Sequence, residues 1–364
     1  MSAPIRVLHI LQRMEAGGTQ AFLMNIYRNI DKTQVQFDFL VEYPEKQFYD
    51  DEIISMGGRI FYSDVRKSKN IFKFKTQLKN IIQKNNYKIV HVHTYSIGCF
   101  VLRAAKKYNV NTRIAHAHSN SMTKKNRTIK KLLKVLYPIW ATDYLACSEE
   151  AAEFQFHGKP YLIIKNPIDL HKFIFNKRAR LKTRNGIGIK DELLVGHVGR
   201  FKPEKNHSFL FKVFLEIKQV EKNAKLLLIG NGENQETIHK MIKENALEES
   251  VIVMNNIRQI DKMYQAMDLF IFPSLYEGLG MTTIEAQASG LPVVCSDRLP
   301  DEVRVTNNII KLSLNDAPQE WAKTALKLFS TTNRGTNTDE RLKEYDARET
   351  AYKMQQYYIK RTLS

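Results

Sequence analysis

Two glutamates lie eight positions apart in Glu277-Gly-Leu-Gly-Met-Thr-Thr-Ile-Glu285, just after the apolar run Leu269-Phe-Ile-Phe-Pro-Ser274. The run reads as a strand and the segment from Gly280 as the opening of a helix. Gly280, Met281 and Thr282 would then offer free backbone N–H groups and the positive end of a helix dipole, which suit a diphosphate. Carboxylates repel phosphate but accept hydrogen bonds from hydroxyls, so Glu277 and Glu285 point to ribose and hexose. Glu277 precedes the turn and cannot be a mid-helix surface residue. Glu285 falls about one turn into the helix beside Ile284 and Ala286, where a buried acid needs partners. Upstream, Val198-Gly-Arg-Phe-Lys-Pro-Glu-Lys-Asn206 adds Arg200 and Lys205 past another apparent strand. A guanidinium and an ammonium are complementary phosphate binders, and Pro203 between them suits the first turn of a helix. A solvated cationic face is the competing reading.

Four further segments carry polar chemistry. Met14-Glu-Ala-Gly-Gly-Thr19 is a glycine turn leading into a helix through Phe22, Leu23 and Ile26, where backbone at Gly17 and Gly18 could approach a phosphate. It is not a G-x-G-x-x-G fingerprint, and an ordinary strand-to-helix turn explains it as well. His91-Val-His93 and His116-Ala-His118 end two successive strands, each pair on one face of its strand. No carboxylate accompanies them at ligand spacing, so no metal ion is expected. His118, followed by Ser119-Asn-Ser121, is placed to face a cleft and bond a sugar hydroxyl, and the other three read as structural. Thr123 to Tyr137 interleaves six cations with Ile129, Leu132, Leu133 and Leu136 at helical spacing. That segment suits either an anionic bilayer or a domain helix with its lysines in water.

A chain of 364 residues, 43% of them hydrophobic, is long enough for two domains with their own cores. No run of 18 apolar residues occurs, and the apolar stretch Val7 to Leu11 lacks the flanks of a signal peptide. A cytoplasmic location, with possible peripheral contact at the inner face of the plasma membrane, is the expectation. Cys99, Cys147 and Cys295 stand singly, which leaves disulfide and zinc frameworks without support. The formal charge of +18 is concentrated in residues 1–170, with 26 Lys and Arg against 14 Asp and Glu. Such a field attracts nucleic acid, an anionic membrane or a pyrophosphate alike.

Short apolar runs alternate with helical patterns along the chain: 5–11, 35–41, 59–62, 88–93, 113–116, 144–147 and 162–164, then 193–198, 225–229, 251–254, 269–272, 292–295 and 309–312. This alternation predicts two α/β doubly wound, Rossmann-like domains, each a parallel sheet covered on both faces. Ligands in such sheets bind outside the carboxyl ends of strands, which is where the glycines and ionisable groups fall. The predicted domains are 1–168 and 169–344, joined near Asn166-Pro-Ile-Asp169 and the polar stretch to Asn185. A helix at about 345–364, with Tyr345, Ala351, Tyr352, Tyr357 and Tyr358, is expected to cross back onto the first domain.

Taken together these motifs resemble family 4 of the retaining glycosyltransferases, over essentially the whole chain. The carriers, in order, are Gly17-Gly18, the His118 region, Gly199-Arg200 with Lys205, and Glu277-x7-Glu285 followed by Ala-Gln-Ala-Ser-Gly-Leu-Pro-Val-Val. Arg28-Asn-Ile-Asp31, Val35-Gln-Phe-Asp-Phe39 and Pro273-Ser-Leu-Tyr-Glu-Gly278 look most like the bacterial branch that builds exopolysaccharide and capsule. The resemblance implies a GT-B fold, two facing domains with a cleft between them. It also implies metal-independent, retaining transfer of a hexose-type sugar from a UDP-sugar to a glycan hydroxyl, the acceptor carried on polyprenyl diphosphate. Arg200 and Lys205 would neutralise the departing diphosphate and Glu285 would hold the ribose. Glu277 would hold the hexose and Gly280, Met281 and Thr282 would give backbone donors. His118 would contact the sugar near the reacting centre, Gly17 and Gly18 would close on the phosphates, and Arg258 is a further donor-binding cation. No cofactor is implied, and the chain has no D-x-D triplet. A GT-B epimerase or phosphorylase is the competing enzyme. A nucleic-acid binder is the non-enzymatic alternative, disfavoured because no recognised DNA- or RNA-binding motif occurs.

Overall fold

The computed structural model describes residues 3–15, 17–118, 133, 135–156, 158–255, 257, 259–335 and 339–363. The chain divides into two compact units, Met1–Ile168 together with Glu344–Ser364, and Asp169–Lys343.

The first unit is built on strands β1 (Ile5–Leu11), β2 (Val35–Val41), β3 (Arg59–Tyr62), β4 (Ile89–Val92), β5 (Thr112–Ala117), β6 (Asp143–Ala146) and β7 (Leu162–Ile163). They form one parallel sheet in the order β3-β2-β1-β4-β5-β6-β7. Alternation sends Val7 to one face and Leu8 to the other, and a separate core grows on each. Helices Gly18–Asn29 and Ala347–Leu363 cover one face with Phe22, Leu23, Tyr27, Met354 and Tyr358. Helices Ile71–Asn85 and Tyr95–Lys107 cover the other. The first of these shows why the sequence is helical: Asn70 accepts the Lys73 N–H, Phe74, Leu78 and Ile81 make one stripe, and Asn86 ends it in the left-handed region at φ 50°. The closing helix is tied down by Tyr357 donating to Asp143 at 2.7 Å and by the Asp31 N–H donating to Gln355 at 2.9 Å. A short parallel bridge of Asp346 with Ile168 leads into it.

The second unit has strands β8 (Leu194–Val198), β9 (Lys225–Ile229), β10 (Val251–Met254), β11 (Leu269–Phe272), β12 (Val293–Ser296) and β13 (Ile309–Leu312). Their order is β10-β9-β8-β11-β12-β13, again parallel. Every predicted strand is present, with ends that differ by a residue or two.

The polar stretch read as part of a linker is instead helix Lys177–Gly186. Asn176 caps it by accepting the Ala179 N–H at 2.9 Å, and Arg184 donates to Asp268 at 2.9 Å and to the Ala266 carbonyl at 2.8 Å. Charge-assisted bonds hold this helix, not an apolar stripe, so hydrophobic periodicity does not register it.

Both sheets reverse their winding once, between β1 and β4 and between β8 and β11. At such a point neighbouring loops leave in opposite directions and open a crevice above the strand ends. No described helix is long and apolar enough to cross a membrane.

Candidate active site

In the second unit the crevice lies between the loop after β8 and the loop after β11. The Gly199 N–H donates to the Ile229 carbonyl at 2.9 Å and the Phe201 N–H to the Asn231 carbonyl at 2.7 Å. The two crevice loops are joined directly, the Leu275 N–H donating to the Glu204 carbonyl at 2.8 Å. Lys205 sits on a short 3-10 turn, Pro203–Lys205, with Pro203 at its start.

Lys205 donates to Glu277, and its ammonium also lies 4.5 Å from the centroid of the Phe272 ring. The two side chains are only 16% and 14% exposed, so each needs the other's charge. Residues assigned to different parts of a ligand are therefore partners in its absence. Arg200 is exposed on the same loop.

Gly280 takes φ +79°, which favours glycine, and no side chain caps the helix it opens, Met281–Ala288. Two hydroxyls near this turn, Ser274 Oγ and Thr282 Oγ1, are buried and find no hydrogen-bond partner among the described residues. Glu285 follows in the helix and accepts a 2.8 Å bond from the Tyr264 hydroxyl. Burial pushes its carboxyl up to about 7, with the Tyr264 bond opposing that rise.

Sequence reasoning missed three contributors. Gly230-Asn231-Gly232 follows β9, and a Cβ at Gly230 would lie 1.9 Å from the Gly199 carbonyl oxygen, so this turn fixes the loop that bears Arg200. A Gly-x-Gly after a strand signal was visible and is the cue that could have found it. Tyr264 is the second, and only packing shows that it reaches Glu285. His197 and His207 are the third, their rings 5.1 Å apart behind Lys205 and both pushed down by burial, His207 to about 4. Arg258 lies outside the described residues, as does most of the basic segment from Thr123.

In the first unit, helix Gly18–Asn29 begins directly after the Gly17 turn. A Cβ at Gly18 would meet nothing within 4 Å among the described residues, so packing there does not demand glycine, and Gly17 has extended backbone at φ −162°, which any residue adopts. Thr19, Gln20, Gln12, His93, His116 and His118 line a pocket of about 240 Å³ beside this turn. The four predicted histidines are brought together, and His9 of β1 joins them. Their hydrogen bonds run His9 Nδ1 to His93 Nε2 at 3.0 Å, His93 Nδ1 to His118 Nε2 at 2.8 Å, and His91 Nε2 to His116 Nδ1 at 3.0 Å. His91 Nδ1 also meets the Tyr358 hydroxyl at 2.8 Å. Nitrogens of His9, His91 and His93, and of His93, His116 and His118, lie within 4.8 Å of one another, a spacing compatible with a metal ion. Burial pushes His9 and His118 down to about 3 and the other three well below their ordinary value, so all five rings are neutral near pH 7.

The chain matches two family models, Glycosyltransferase Family 4 over residues 16–172 and Glycosyl transferases group 1 over residues 179–348. It is 35% identical to the glycosyltransferase named EpsF of Bacillus subtilis, over 89% of this chain and 87% of that one. It is 27% identical to the capsular polysaccharide biosynthesis glycosyltransferase CapH of Staphylococcus aureus, over 99% and 100%. An Escherichia coli UDP-Gal:alpha-D-GlcNAc-diphosphoundecaprenol alpha-1,3-galactosyltransferase is 24% identical over 86% and 85%. Among solved structures, Anabaena HepE in complex with UDP and glucose superposes with a TM-score of 0.78 at 16% identity, covering 97% of this chain and 99% of that one. The chain belongs to glycosyltransferase family 4 and has the GT-B fold. It is a glycosyltransferase.

Proposed function

We propose that the protein transfers a hexose-type sugar from a UDP-sugar to a hydroxyl of a lipid-linked glycan, with retention of configuration, in exopolysaccharide or capsule synthesis. The observation that carries this reading is the crevice of the second unit, where Lys205, Glu277 and Glu285 gather around the glycine turn at Gly280. Arg200 and Lys205 neutralise the diphosphate as it departs. Met281 and Thr282 give backbone donors, and Thr282 Oγ1, which has no hydrogen-bond partner among the described residues, takes a bond from ligand. Glu285, positioned by Tyr264, holds the ribose, and Glu277 exchanges part of its contact with Lys205 for a hexose hydroxyl. Gly17, together with Gly18, where packing leaves room, lets backbone approach the phosphates, and His118 meets the sugar near the anomeric carbon.

The anomeric bond loosens into an oxocarbenium-like state, and the leaving phosphate accepts the proton of the acceptor hydroxyl on the same face. Fixed cations stabilise the charge that develops on the phosphate, so no metal ion is required. UDP as the nucleotide is supported by the HepE complex and by the printed donor of the E. coli relative; a lipid diphosphate acceptor is supported by the latter.

Charge supports a lipid acceptor independently. Between Val65 and Thr142 the chain has 18 Lys and Arg and no Asp or Glu, which is the whole formal charge of +18. Within that span Lys75, Lys79 and Lys84, with Arg103, Lys106 and Lys107, are exposed on helices Ile71–Asn85 and Tyr95–Lys107, and Phe72 is 82% exposed among them. This is the composition of a surface that rests on anionic lipid. Vesicle flotation should show binding that depends on anionic lipid and weakens in Lys75→Glu/Lys79→Glu. Loss instead in Lys130→Glu/Lys131→Glu/Lys134→Glu would move the docking surface to the segment outside the described residues.

The functional test is a thermal-shift screen of nucleotides and nucleotide sugars followed by product analysis. UDP and one UDP-sugar should raise Tm in proportion to affinity, and the product formed with acceptor should keep the donor's anomeric configuration. An inverted product would reject retention, and turnover of donor without acceptor to an epimer would favour the competing enzyme.

A further inference from the structure

The imidazoles of the first unit form two sets of three nitrogens close enough for one ion, His9 with His91 and His93, and His93 with His116 and His118. His93 belongs to both, so only one set can be filled at a time. The parallel register makes the second set: it pairs Val92 of β4 with Ala115 of β5, one position before His93 and His116, and His118 follows two positions on along the same face. The first set is packed against Phe37, Phe39 and Tyr358. The second lines the pocket of about 240 Å³ with Gln12, Thr19 and Gln20, which gives an ion a way in and a coordination position besides histidine.

In that second set the outer nitrogens are occupied and the inner ones lie close together. His116 Nε2 is buried and has no hydrogen-bond partner among the described residues, while its Nδ1 is held 3.0 Å from His91 Nε2. His91 Nδ1 in turn meets the Tyr358 hydroxyl at 2.8 Å. His93 brings Nδ1, its Nε2 being held 3.0 Å from His9 Nδ1. His118 brings Nε2, 2.8 Å from His93 Nδ1. Two of the three ligands thus have their outer nitrogen fixed by another side chain, the arrangement that orients a metal-bound imidazole and sets its tautomer. With protons on His116 Nδ1, His91 Nδ1 and His93 Nε2, each outer contact has one donor and one acceptor, and the inner lone pairs are free. The N–H groups this leaves unpaired, on His9 and His118, are a smaller loss than the gain from three metal–nitrogen bonds.

The hydrogen bond between His93 and His118 is the contact an ion replaces, two lone pairs closing on a cation instead of sharing a proton. With metal–nitrogen bonds of about 2.0–2.1 Å, a tetrahedral site sets its nitrogens about 3.3 Å apart. The pair at 2.8 Å must open slightly, and the stacked rings of His116 and His118, 4.1 Å between centroids, must lean together. The expectation of no metal turned on the lack of a carboxylate at ligand spacing, but three imidazoles form a complete set without one.

We infer that His93, His116 and His118 form a binding site for a divalent transition ion of the zinc type, and that an ion held there withdraws His118 from substrate. The site stands on this geometry; its inhibitory effect also rests on the proposed contact of His118 with the sugar. Neutral nitrogen ligands select zinc over magnesium or calcium, which take oxygen. Transfer itself needs no metal, and the ion acts as an inhibitor.

Cobalt(II) is the probe, added to the untagged full chain after treatment with chelator, because tetrahedral cobalt absorbs strongly in the visible and the aquo ion does not. One equivalent should bind with that spectrum, and one equivalent of zinc should abolish it. X-ray absorption at the zinc edge needs no variant and should show three imidazole nitrogens at about 2.0–2.1 Å. Absence of the tetrahedral spectrum, or a shell with fewer than three imidazoles, would overturn the site.

Turnover with and without one equivalent of zinc gives a ratio for each variant that does not depend on its basal rate. The wild type should lose about 10-fold or more, and magnesium or calcium should change nothing. His116→Phe should bind no cobalt and lose no turnover to zinc, and tetrahedral binding retained in that variant would overturn the site. His91→Phe, which removes the outer partner of His116, should weaken zinc binding about 10-fold or more. If His116→Phe fails to fold, the X-ray spectrum of the wild type decides alone. A bound ion that leaves wild-type turnover intact would end the withdrawal and with it the substrate contact of His118, whereas failure to bind ends the site and leaves that contact standing.

Discussion

The two units place their polar groups at the same point of the same topology, the crevice between β1 and β4 in one and between β8 and β11 in the other, yet treat charge in opposite ways. The second unit keeps its charges and pairs them, Lys205 with Glu277, on loops that stay partly open. The first unit buries five imidazoles in contact with one another and with Phe22, Phe37 and Tyr358, which removes their charge. An ammonium cannot shed its proton cheaply and therefore demands a counter-ion or an anionic ligand. An imidazole can become neutral and still donate one hydrogen bond. One architecture thus holds a paired charge at the crevice of one unit and uncharged imidazoles at that of the other.

The largest expected effect strikes the charged side. Lys205→Met should lower turnover about 10²- to 10³-fold, and because this also strands Glu277, the double variant Lys205→Met/Glu277→Gln separates structure from chemistry. The double variant should regain the stability lost by the single one, measured as Tm, and none of the turnover. Recovery of turnover would mean that the pair serves only the fold.

The next effect is one of pH, and it sharpens the contrast. If Glu285 holds the ribose as proposed, it must be ionised to accept two hydroxyls, and its carboxyl is pushed up to about 7. UDP affinity should therefore rise about tenfold from pH 6 to pH 8, and Glu285→Gln should both weaken binding and flatten that rise. The five neutral histidines should contribute no limb of their own. A rise that persists in Glu285→Gln would point to another group.

The smallest effect is on stability. Because the folded-state pKa of Glu285 lies above its ordinary value, ionising it disfavours the fold: no cost below about 4.5 and the full cost above about 7. Glu285→Gln, which still accepts from Tyr264, should raise Tm by about 2–4 °C at pH 8, and the gain should shrink toward pH 5. An unchanged Tm at pH 8 would show that the carboxylate is already solvated in the ligand-free protein.

The strands were legible because each is a short apolar run bounded by turn residues, a signal complete within a few positions. The residues of the second crevice were legible for the same reason: Glu277 to Glu285 and Gly199 to Lys205 are contiguous segments that carry their own turn and helix signals. Helix Lys177–Gly186 was not, since its partner Asp268 lies 84 positions from Arg184. Tyr264 beneath Glu285 was hidden in the same way, as was the approach of Gly230 to Gly199.

By itself, then, the amino-acid sequence determined the alternation of strands and helices, the family, and which residue types stand at the ends of strands, because all of these are written in local order. The tertiary structure decided which of those residues touch. The parallel register aligns His9 with His91 and sets β1, β4 and β5 side by side, and the folded loops join Lys205 to a glutamate 72 positions away. Burial and partner, and with them charge and proton position, exist only once strands distant in the chain lie next to one another.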